Sequence, residues 1–157
     1  MLVAYLSLAY KGGDAAKYSD QSDKELAGYT QVKYCDLVSH PNKYDGKQVA
    51  VSASYRYGFE WQELFCLKCG GDGKTWLEFK EETLDNTSRS LRKAPRHQGI
   101  INAVFYGTFG GTKGPYGDGS YPYRFDVNFV RDVKVVSHNG WHPNSLNPDV
   151  QKQLCQE

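Results

Sequence analysis

A strict two-residue alternation between residues 47 and 57 constrains the fold of this chain more than any other feature. Apolar side chains occupy one set of alternate positions, namely Val49, Val51, Ala53, Tyr55 and Tyr57. The opposite set is polar or small, namely Gln48, Ala50, Ser52, Ser54 and Arg56. Successive side chains of a β-strand point to opposite sides of the sheet, so this pattern predicts a long strand with one buried face.

Four more segments carry strand patterns. After an interruption at Gly58, residues 60–69 form the second strand of a hairpin. Residues 75–80 form a third strand, and residues 99–109 and 125–135 form the last two. Residues 81–93 lose the alternation and place acids before bases, which predicts a helix that Pro95 ends. Residues 34–40 predict two helical turns that end at Pro41, because the residue before a proline is pushed out of the α region.

This order of elements predicts an all-β fold: an OB-like five-stranded barrel with a short N-terminal helix and one helix between strands three and four. Residues 32–136 form the barrel domain, and residues 137–157 form a C-terminal coil or short helix. Residues 1–31 are predicted to be an N-terminal arm or signal remnant, since residues 2–9 have the length of a signal core, although no positive charge precedes them. No stretch reaches the roughly 20 apolar residues of a membrane span, so no transmembrane segment is predicted.

The charge of the chain is nearly balanced, with 19 basic and 18 acidic residues. Nucleic-acid binding draws on clustered Lys and Arg that displace counterions from phosphates. The densest basic cluster lies at residues 89–97 and follows acids at residues 81–85. A solvated helix with opposite charge at its two ends also explains that pattern. Nucleic acid is therefore not the favoured partner.

Three short motifs follow one another at the start of the predicted domain: C-D-L at residues 35–37, P-N-K-Y-D-G-K at residues 41–47 and V-A-V at residues 49–51. In these motifs the chain resembles uncharacterised bacterial OB-like domains, often exported or lipid-anchored, that share a C-D-L, P-x-K-Y-x-G-K, V-x-V opening. The resemblance spans residues 32–135. It implies the OB fold, an exported or periplasmic protein and a disulfide between Cys35 and Cys69, and it supplies no catalytic residues.

The four cysteines admit two interpretations. Cys66 and Cys69 form a C-x-x-C-G knuckle that suits two ligands of a tetrahedral zinc ion, with His138 and His142 as candidates for the other half. The gap between the two halves is much longer than in a zinc finger. Four cysteines are also an even set with three possible pairings, which predicts disulfides in an exported domain. At least one disulfide is favoured, the pair that the resemblance implies, with Cys66 and Cys155 as extra cysteines whose pairing stays open, and no metal or other cofactor is predicted.

No arrangement of residues predicts catalysis. The glycine-rich stretch 107–114 carries Thr112 where a phosphate-binding loop needs a glycine before its lysine, and no G-x-S-x-G element occurs. We therefore expect a non-enzymatic protein, although an enzyme with an unrecognised site is a further hypothesis.

Aromatic side chains supply the candidate ligand-binding surface. Two loops of the predicted barrel, after its first strand and between its last two strands, carry or adjoin Tyr57, Phe59, Trp61, Tyr116, Tyr121 and Tyr123. Such rings can stack on bases or sugars, although the same rings also suit the interior of a barrel. The predicted function is a binding or interaction module of an exported protein, with a protein or a small oligomeric ligand as its partner. The alternative is an intracellular single-stranded nucleic-acid binder with a Cys/His zinc site.

Overall fold

The fold is described by a computed structural model for residues 23–69, 74–83 and 90–156. Within these ranges, six strands pair into one sheet: β1 (Thr30–Gln31), β2 (Gln48–Tyr57), β3 (Gln62–Phe65), β4 (Thr75–Phe79), β5 (Gly99–Gly110) and β6 (Tyr123–Ser137). The α-helices are short, namely α1 (Tyr34–Ser39), α2 (Pro41–Tyr44) and α3 (Pro148–Gln151). Single 3-10 turns occupy Glu81–Thr83, Leu91–Lys93 and Pro143–Ser145. The chain is thus mostly β-structure, which confirms the all-β class.

The strand pairings return on themselves and form a closed ring. β2 pairs with β3, β3 with β4, β6 with β5, and β5 with β2, all antiparallel, while β4 and β6 pair in parallel. The β2–β5 ladder is the most regular, with every residue from Gln48 to Tyr57 paired between Thr108 and Gly99. β1 adds to β2 in parallel, outside the ring. The ring leaves β2, β3, β4, β5 and β6 each with a neighbour on both sides.

The main hydrophobic core lies inside the ring. The alternate residues of β2 that the sequence pattern assigns to one face are buried there, from Val49 to Tyr55. They meet inward side chains of the other strands, among them Leu64, Leu77, Ile101, Phe105, Phe109, Phe125 and Val127. Burial of this much apolar surface is the main favourable term in the folding of such a domain.

Helix α1 closes one end of the ring. Its first residue, Tyr34, is fully buried, and its hydroxyl group donates to the Leu64 carbonyl oxygen at 2.8 Å. The same hydroxyl oxygen lies 2.7 Å from Thr75 Oγ1, so α1 contacts both β3 and β4. The helix ends at Ser39, two residues before Pro41, as the sequence predicts. Pro41 then begins α2, where a missing N–H group costs nothing.

The outer side of the ring is also buried in places, which corrects the expectation that β2 has only one buried face. The outward residues Ala50 and Ser54 have no exposed surface. Gln31 of β1 pairs with Ala50, and the C-terminal segment of residues 138–156 covers Ser54, whose hydroxyl accepts from the Cys155 N–H at 2.8 Å. A second apolar cluster forms beneath this segment from Phe65, Ile100, Leu146 and Leu154.

The remaining predictions concern less regular parts of the chain. The helix predicted over residues 81–93 is represented by a 3-10 turn at each end, and its centre lies outside the described residues. Most of the predicted N-terminal arm, residues 1–22, also lies outside them, and its last two residues form β1. The C-terminal region contains α3, a short helix. Within the part of the chain that the structure describes, no helix has the length and hydropathy to cross a membrane.

Candidate functional site

Four outward side chains lie in register across neighbouring strands. Arg56 of β2 pairs with Glu63 of β3, Glu63 with Trp76 of β4, and Trp76 with Arg124 of β6. Residues that are directly opposite on adjacent strands place their side chains on the same face at close range. Arg56, Glu63, Trp76 and Arg124 therefore form one row on the outside of the ring, called the outer row below.

Glu63 is the buried centre of the outer row, with 1% of its surface exposed. Its Oε1 atom lies 2.9 Å from Nε of Arg56, and the Tyr121 hydroxyl group hydrogen-bonds the same carboxylate. Burial, followed by the neighbouring Glu63 carboxylate, raises the pKa of Tyr121 to about 12. The phenol is therefore neutral at physiological pH and acts as a donor to Glu63. A buried carboxylate needs such partners, because an unpaired buried charge costs several kcal/mol.

Arg56 joins the outer row to the β2–β3 loop and to the C-terminal segment. Its guanidinium carbon lies 5.1 Å from the ring centroid of Trp61, a cation–π distance. Its Nη1 atom donates to the Gly140 carbonyl oxygen at 3.0 Å. Arg56 therefore fixes Trp61 and the start of the C-terminal segment relative to β3.

Trp76 carries the aromatic surface of the outer row. Its Nε1–H donates to Glu78 at 2.9 Å, and its ring centroid lies 5.1 Å from that of Tyr121. Gly117 packs on the same indole with φ of +61°, and a Cβ atom added there would lie 2.7 Å from Trp76 Cε3. Only glycine combines this left-handed backbone with so close an approach.

The loop of residues 111–122, between β5 and β6, is held at its start by Asp45. The Asp45 carboxylate accepts from the Thr112 hydroxyl and from the Gly111 N–H, each at 2.7 Å. These hydrogen bonds, that of Thr112 first, hold the pKa of Asp45 below its usual value of 3.8. Asp45 lies in the P-x-K-Y-x-G-K motif, so this motif connects α2 and β2 to the loop.

The far side of the same loop contacts the end of the outer row. Tyr116 and Tyr121 pair through a backbone bridge. The guanidinium carbon of Arg124 lies 5.2 Å from the Tyr116 ring centroid, and Arg124 Nε forms an ion pair with Asp126 at 2.9 Å. The loop therefore lies over β4 and β6, at the opposite end of the outer row from Trp61.

Four of the six aromatic residues that the sequence predicts as a ligand surface lie in the two loops at the ends of the outer row. Tyr116 and Tyr121 flank one end of the outer row, and Trp61 flanks the other. Phe59 is 96% exposed at the tip of the β2–β3 loop. Tyr121 is largely buried against Trp76 and Glu63, so it supports the surface more than it presents one.

The other two predicted aromatic residues face the interior. Tyr57 stacks on Tyr55 with ring centroids 4.9 Å apart, and its hydroxyl donates to the Pro95 carbonyl oxygen at 2.6 Å. Tyr123 packs on Phe109 with centroids 5.6 Å apart. Both continue the inward alternation of their strands and extend the main core.

Sequence reasoning missed the outer row itself. The alternation of β2 and the hydrophobic pattern of β4 place Arg56 and Trp76 in strands. The pattern carries no information about which residues of different strands stand opposite one another. The parallel pairing of β4 with β6, which brings Arg124 beside Trp76, joins segments almost 50 residues apart.

All four cysteines are in disulfide bonds. Cys35 is bonded to Cys69, the pair that the resemblance implies, and Cys66 is bonded to Cys155. The first bond ties α1 to the turn that follows β3, and the second ties the C-terminal segment to the same turn. No cysteine of the chain is free, so the C-x-x-C knuckle offers no thiolate pair to a zinc ion in this state.

A cleft of about 140 Å³ separates the C-terminal segment from β3. Its walls include the buried Glu63 and the disulfide-bonded Cys66 and Cys69 on one side, and His142 on the other. Lys74 also lines it. The cleft brings a carboxylate, an ammonium group and an imidazole next to two of the sulfur atoms.

Comparisons with known proteins assign no family to this chain. No family model matches it, and no curated protein matches it. Among solved structures, the chain is similar to a crystal structure described as that of an aspartyl-tRNA synthetase from Leishmania major Friedlin, with 12% identity and a TM-score of 0.39. The match covers 87% of this chain, which spans 31% of the length of that one.

Proposed function

We propose that this chain is an OB-type barrel that acts as a non-enzymatic binding module of an exported protein, and that its ligand is an uncharged, hydroxyl-rich oligomer such as an oligosaccharide. The ligand lies along the outer row, between the β2–β3 loop and the loop of residues 111–122. The observation that carries the proposal is the outer row: a tryptophan and three charged side chains in register across four strands.

The order of strand pairing supports the OB assignment. Strands β2 to β6 correspond in sequence order to the five strands of an OB barrel, with β2–β5 closing the ring. In OB barrels, oligonucleotides and oligosaccharides bind to the face of strands two and three, between the first hairpin loop and the loop that joins strands four and five. The corresponding strands are β3 and β4, which carry Glu63 and Trp76.

The charges of the outer row favour an uncharged ligand. Each arginine already has a carboxylate partner at 2.9 Å, Glu63 for Arg56 and Asp126 for Arg124. Glu78 adds another carboxylate beside Trp76. Among the accessible charges of this face, the carboxylates of Asp126 and Glu78 outnumber the Arg124 guanidinium, so the phosphates of a nucleic acid would meet repulsion rather than a cluster of free cations.

The same groups suit sugar hydroxyls. A hydroxyl group both donates and accepts hydrogen bonds, so it can bind to the guanidinium of Arg124, the more exposed arginine of the outer row, and to the Asp126 carboxylate paired with it. The apolar C–H face of a sugar ring packs against an aromatic face, and Trp76 and Tyr116 supply two half-buried rings. An oligomer that spans both loops would contact both kinds of group.

The two disulfides support the export of this module. Disulfides form and persist in oxidising compartments such as the periplasm and the cell exterior. The Cys66–Cys155 bond also fastens the C-terminal segment against β3, next to the proposed binding face.

Native gel electrophoresis of the oxidised full chain tests the proposal. Each gel contains one soluble neutral polysaccharide, either a β-glucan, a galactomannan or a xylan. The migration of the protein in each gel is compared with its migration in a polymer-free gel. We expect retardation by at least one polysaccharide, with no loss when salt is raised, because the contacts are hydrogen bonds and stacking rather than ion pairs.

Labelled oligothymidylate supplies the contrasting ligand. Salt-sensitive binding to this oligonucleotide, without retardation by any neutral polysaccharide, would overturn the proposed ligand class. Failure of every polysaccharide and of the oligonucleotide would contradict the assignment of the outer row as a binding face.

A further inference from the structure

Three of the four sulfur atoms lie together, although they belong to two different disulfides. The Sγ atoms of Cys35, Cys66 and Cys69 are all within 4.8 Å of one another. The fourth cysteine, Cys155, is bonded to Cys66. A thiolate released at any member of this cluster would therefore have another disulfide within reach.

The backbone between Cys66 and Cys69 permits a third pairing. The Cys69 N–H donates to the Cys66 carbonyl oxygen at 3.2 Å, which is the hydrogen bond of a β-turn. The first and last Cα atoms of such a turn are less than about 7 Å apart. This limit is close to the Cα separation that a disulfide spans, and the two Sγ atoms lie within 4.8 Å of each other, so a Cys66–Cys69 bond requires only local movement.

The cysteines of the two disulfides differ in their exposure to solvent. Cys155 is partly exposed near the C-terminus, whereas Cys66 is 5% exposed. Cys66 lines the cleft together with Lys74 and His142, and the Glu63 carboxylate in the same cleft is paired with Arg56. Cys155 is the more exposed end of its disulfide, so an incoming thiolate is placed to attack Cys155 Sγ, and Cys66 then leaves as the thiolate.

We propose that this cluster is a thiol-capture site that works by disulfide exchange. A small or protein thiol loses its proton to water, and its thiolate attacks Cys155 Sγ. A mixed disulfide forms at Cys155, and the Cys66 thiolate leaves. Cys66 then attacks Cys69 Sγ, forming the Cys66–Cys69 bond and releasing Cys35, which takes a proton from water. The number of disulfides stays constant once the mixed disulfide is counted.

This exchange changes what is attached to the ring. Before it, α1 and the C-terminal segment are both tied to the turn that follows β3. After it, the captured thiol is linked to the C-terminal segment, and neither α1 nor that segment is bonded to this turn. The second step consumes the Cys66 thiolate that would reverse the first step, so release of the captured thiol first requires Cys35 to attack the Cys66–Cys69 bond.

Trapping the exchange in the native protein tests this proposal. The oxidised full chain is incubated with reduced glutathione, quenched with acid, alkylated and digested for mass spectrometry. We expect glutathione on Cys155, a Cys66–Cys69 cross-link and the alkyl label on Cys35. A label on Cys66 with the Cys35–Cys69 bond intact would overturn the second step, as would a Cys35–Cys66 cross-link.

Two single variants provide a matched pair. In Cys155→Ser, we expect the label to divide between Cys35 and Cys66, because the remaining thiol exchanges within the cluster. In Cys35→Ser, we expect it to divide between Cys69 and Cys155 for the same reason. A label confined to Cys66 in the first variant and to Cys69 in the second would contradict exchange, provided that circular dichroism shows both variants folded.

Discussion

Glu63 shows how a single buried charge organises the candidate site. Its carboxylate is held by Arg56 on one side and by Tyr121 on the other, and almost none of its surface is exposed. Arg56 contacts Trp61 near one loop, and Tyr121 belongs to the other loop. The two loops that flank the outer row are therefore coupled through one carboxylate.

Replacing this charge should be costly. In Glu63→Gln, Arg56 loses its counter-charge in a site where its side chain is 12% exposed. We expect the free energy of unfolding to fall by about 2–4 kcal/mol, measured by urea denaturation. Glu78→Gln, which changes an exposed carboxylate on the adjacent strand, should cost less than about 0.5 kcal/mol. Equal losses in the two variants would show that Glu63 has no special role.

Asp45 predicts a pH dependence at the start of the 111–122 loop. The pKa of Asp45 is lowered in the folded protein. The contribution of its carboxylate to folding stability is therefore complete above pH 3.8 and is lost as the pH falls through the lower pKa of the folded state. We expect the NMR shift of the Gly111 amide to titrate with a midpoint below 3.8, and this titration should be absent in Asp45→Asn. A midpoint at or above 3.8 would contradict the anchoring of the loop by Asp45.

The C-terminal segment of residues 138–156 covers part of the outer face of the ring. It buries Leu146 and Leu154 against Phe65 and Ile100 and covers Ser54. Its only covalent attachment to the ring, apart from the main chain, is the bond between Cys66 and Cys155. That bond joins residues 89 apart in sequence, so it constrains a long loop of the unfolded chain.

Removing this bond should destabilise the protein without changing the ring. In the double variant Cys66→Ser, Cys155→Ser, loop entropy alone predicts a loss of about 4–5 kcal/mol. We expect hydrogen exchange to increase most in residues 143–156 and least in β2 and β5, whose long ladder does not depend on the segment. An equal increase in hydrogen exchange in the C-terminal segment and in β2 and β5 would contradict the independence of the ring from this bond.

At the scale of the whole molecule, local sequence patterns predict individual strands and helices, but they do not predict contacts between segments that are distant in sequence. The alternation of β2 and the proline after α1 indicate those elements correctly, because each pattern follows from the backbone geometry of one segment. The burial of Ser54 and the meeting of Trp76 with Arg124 depend on segments far away in sequence. Strand register and the path of the C-terminal segment are set by packing in three dimensions, so no local pattern reports them.

The aromatic residues illustrate the same limit. Tyr57 and Tyr123 are near the predicted loops in sequence, yet their strand positions turn them inward. Trp76 lies within a strand, yet Gly117 and Tyr121 of the loop of residues 111–122 pack against its indole. Proximity to a loop in sequence is therefore a weaker guide to a binding surface than the side of the sheet to which a side chain points.

The most direct test of the account compares the affinity of the wild-type protein with that of Trp76→Ala for the neutral polysaccharide that retards the wild type most. Truncation of an aromatic residue at the centre of a binding face costs more than about 1 kcal/mol, which predicts a weakening of at least roughly 5-fold. Trp141→Ala, which removes a 61% exposed indole from the C-terminal segment, should bind as the wild type does. Equal affinity of Trp76→Ala and the wild type, with both proteins folded, would contradict the assignment of the outer row as the binding face.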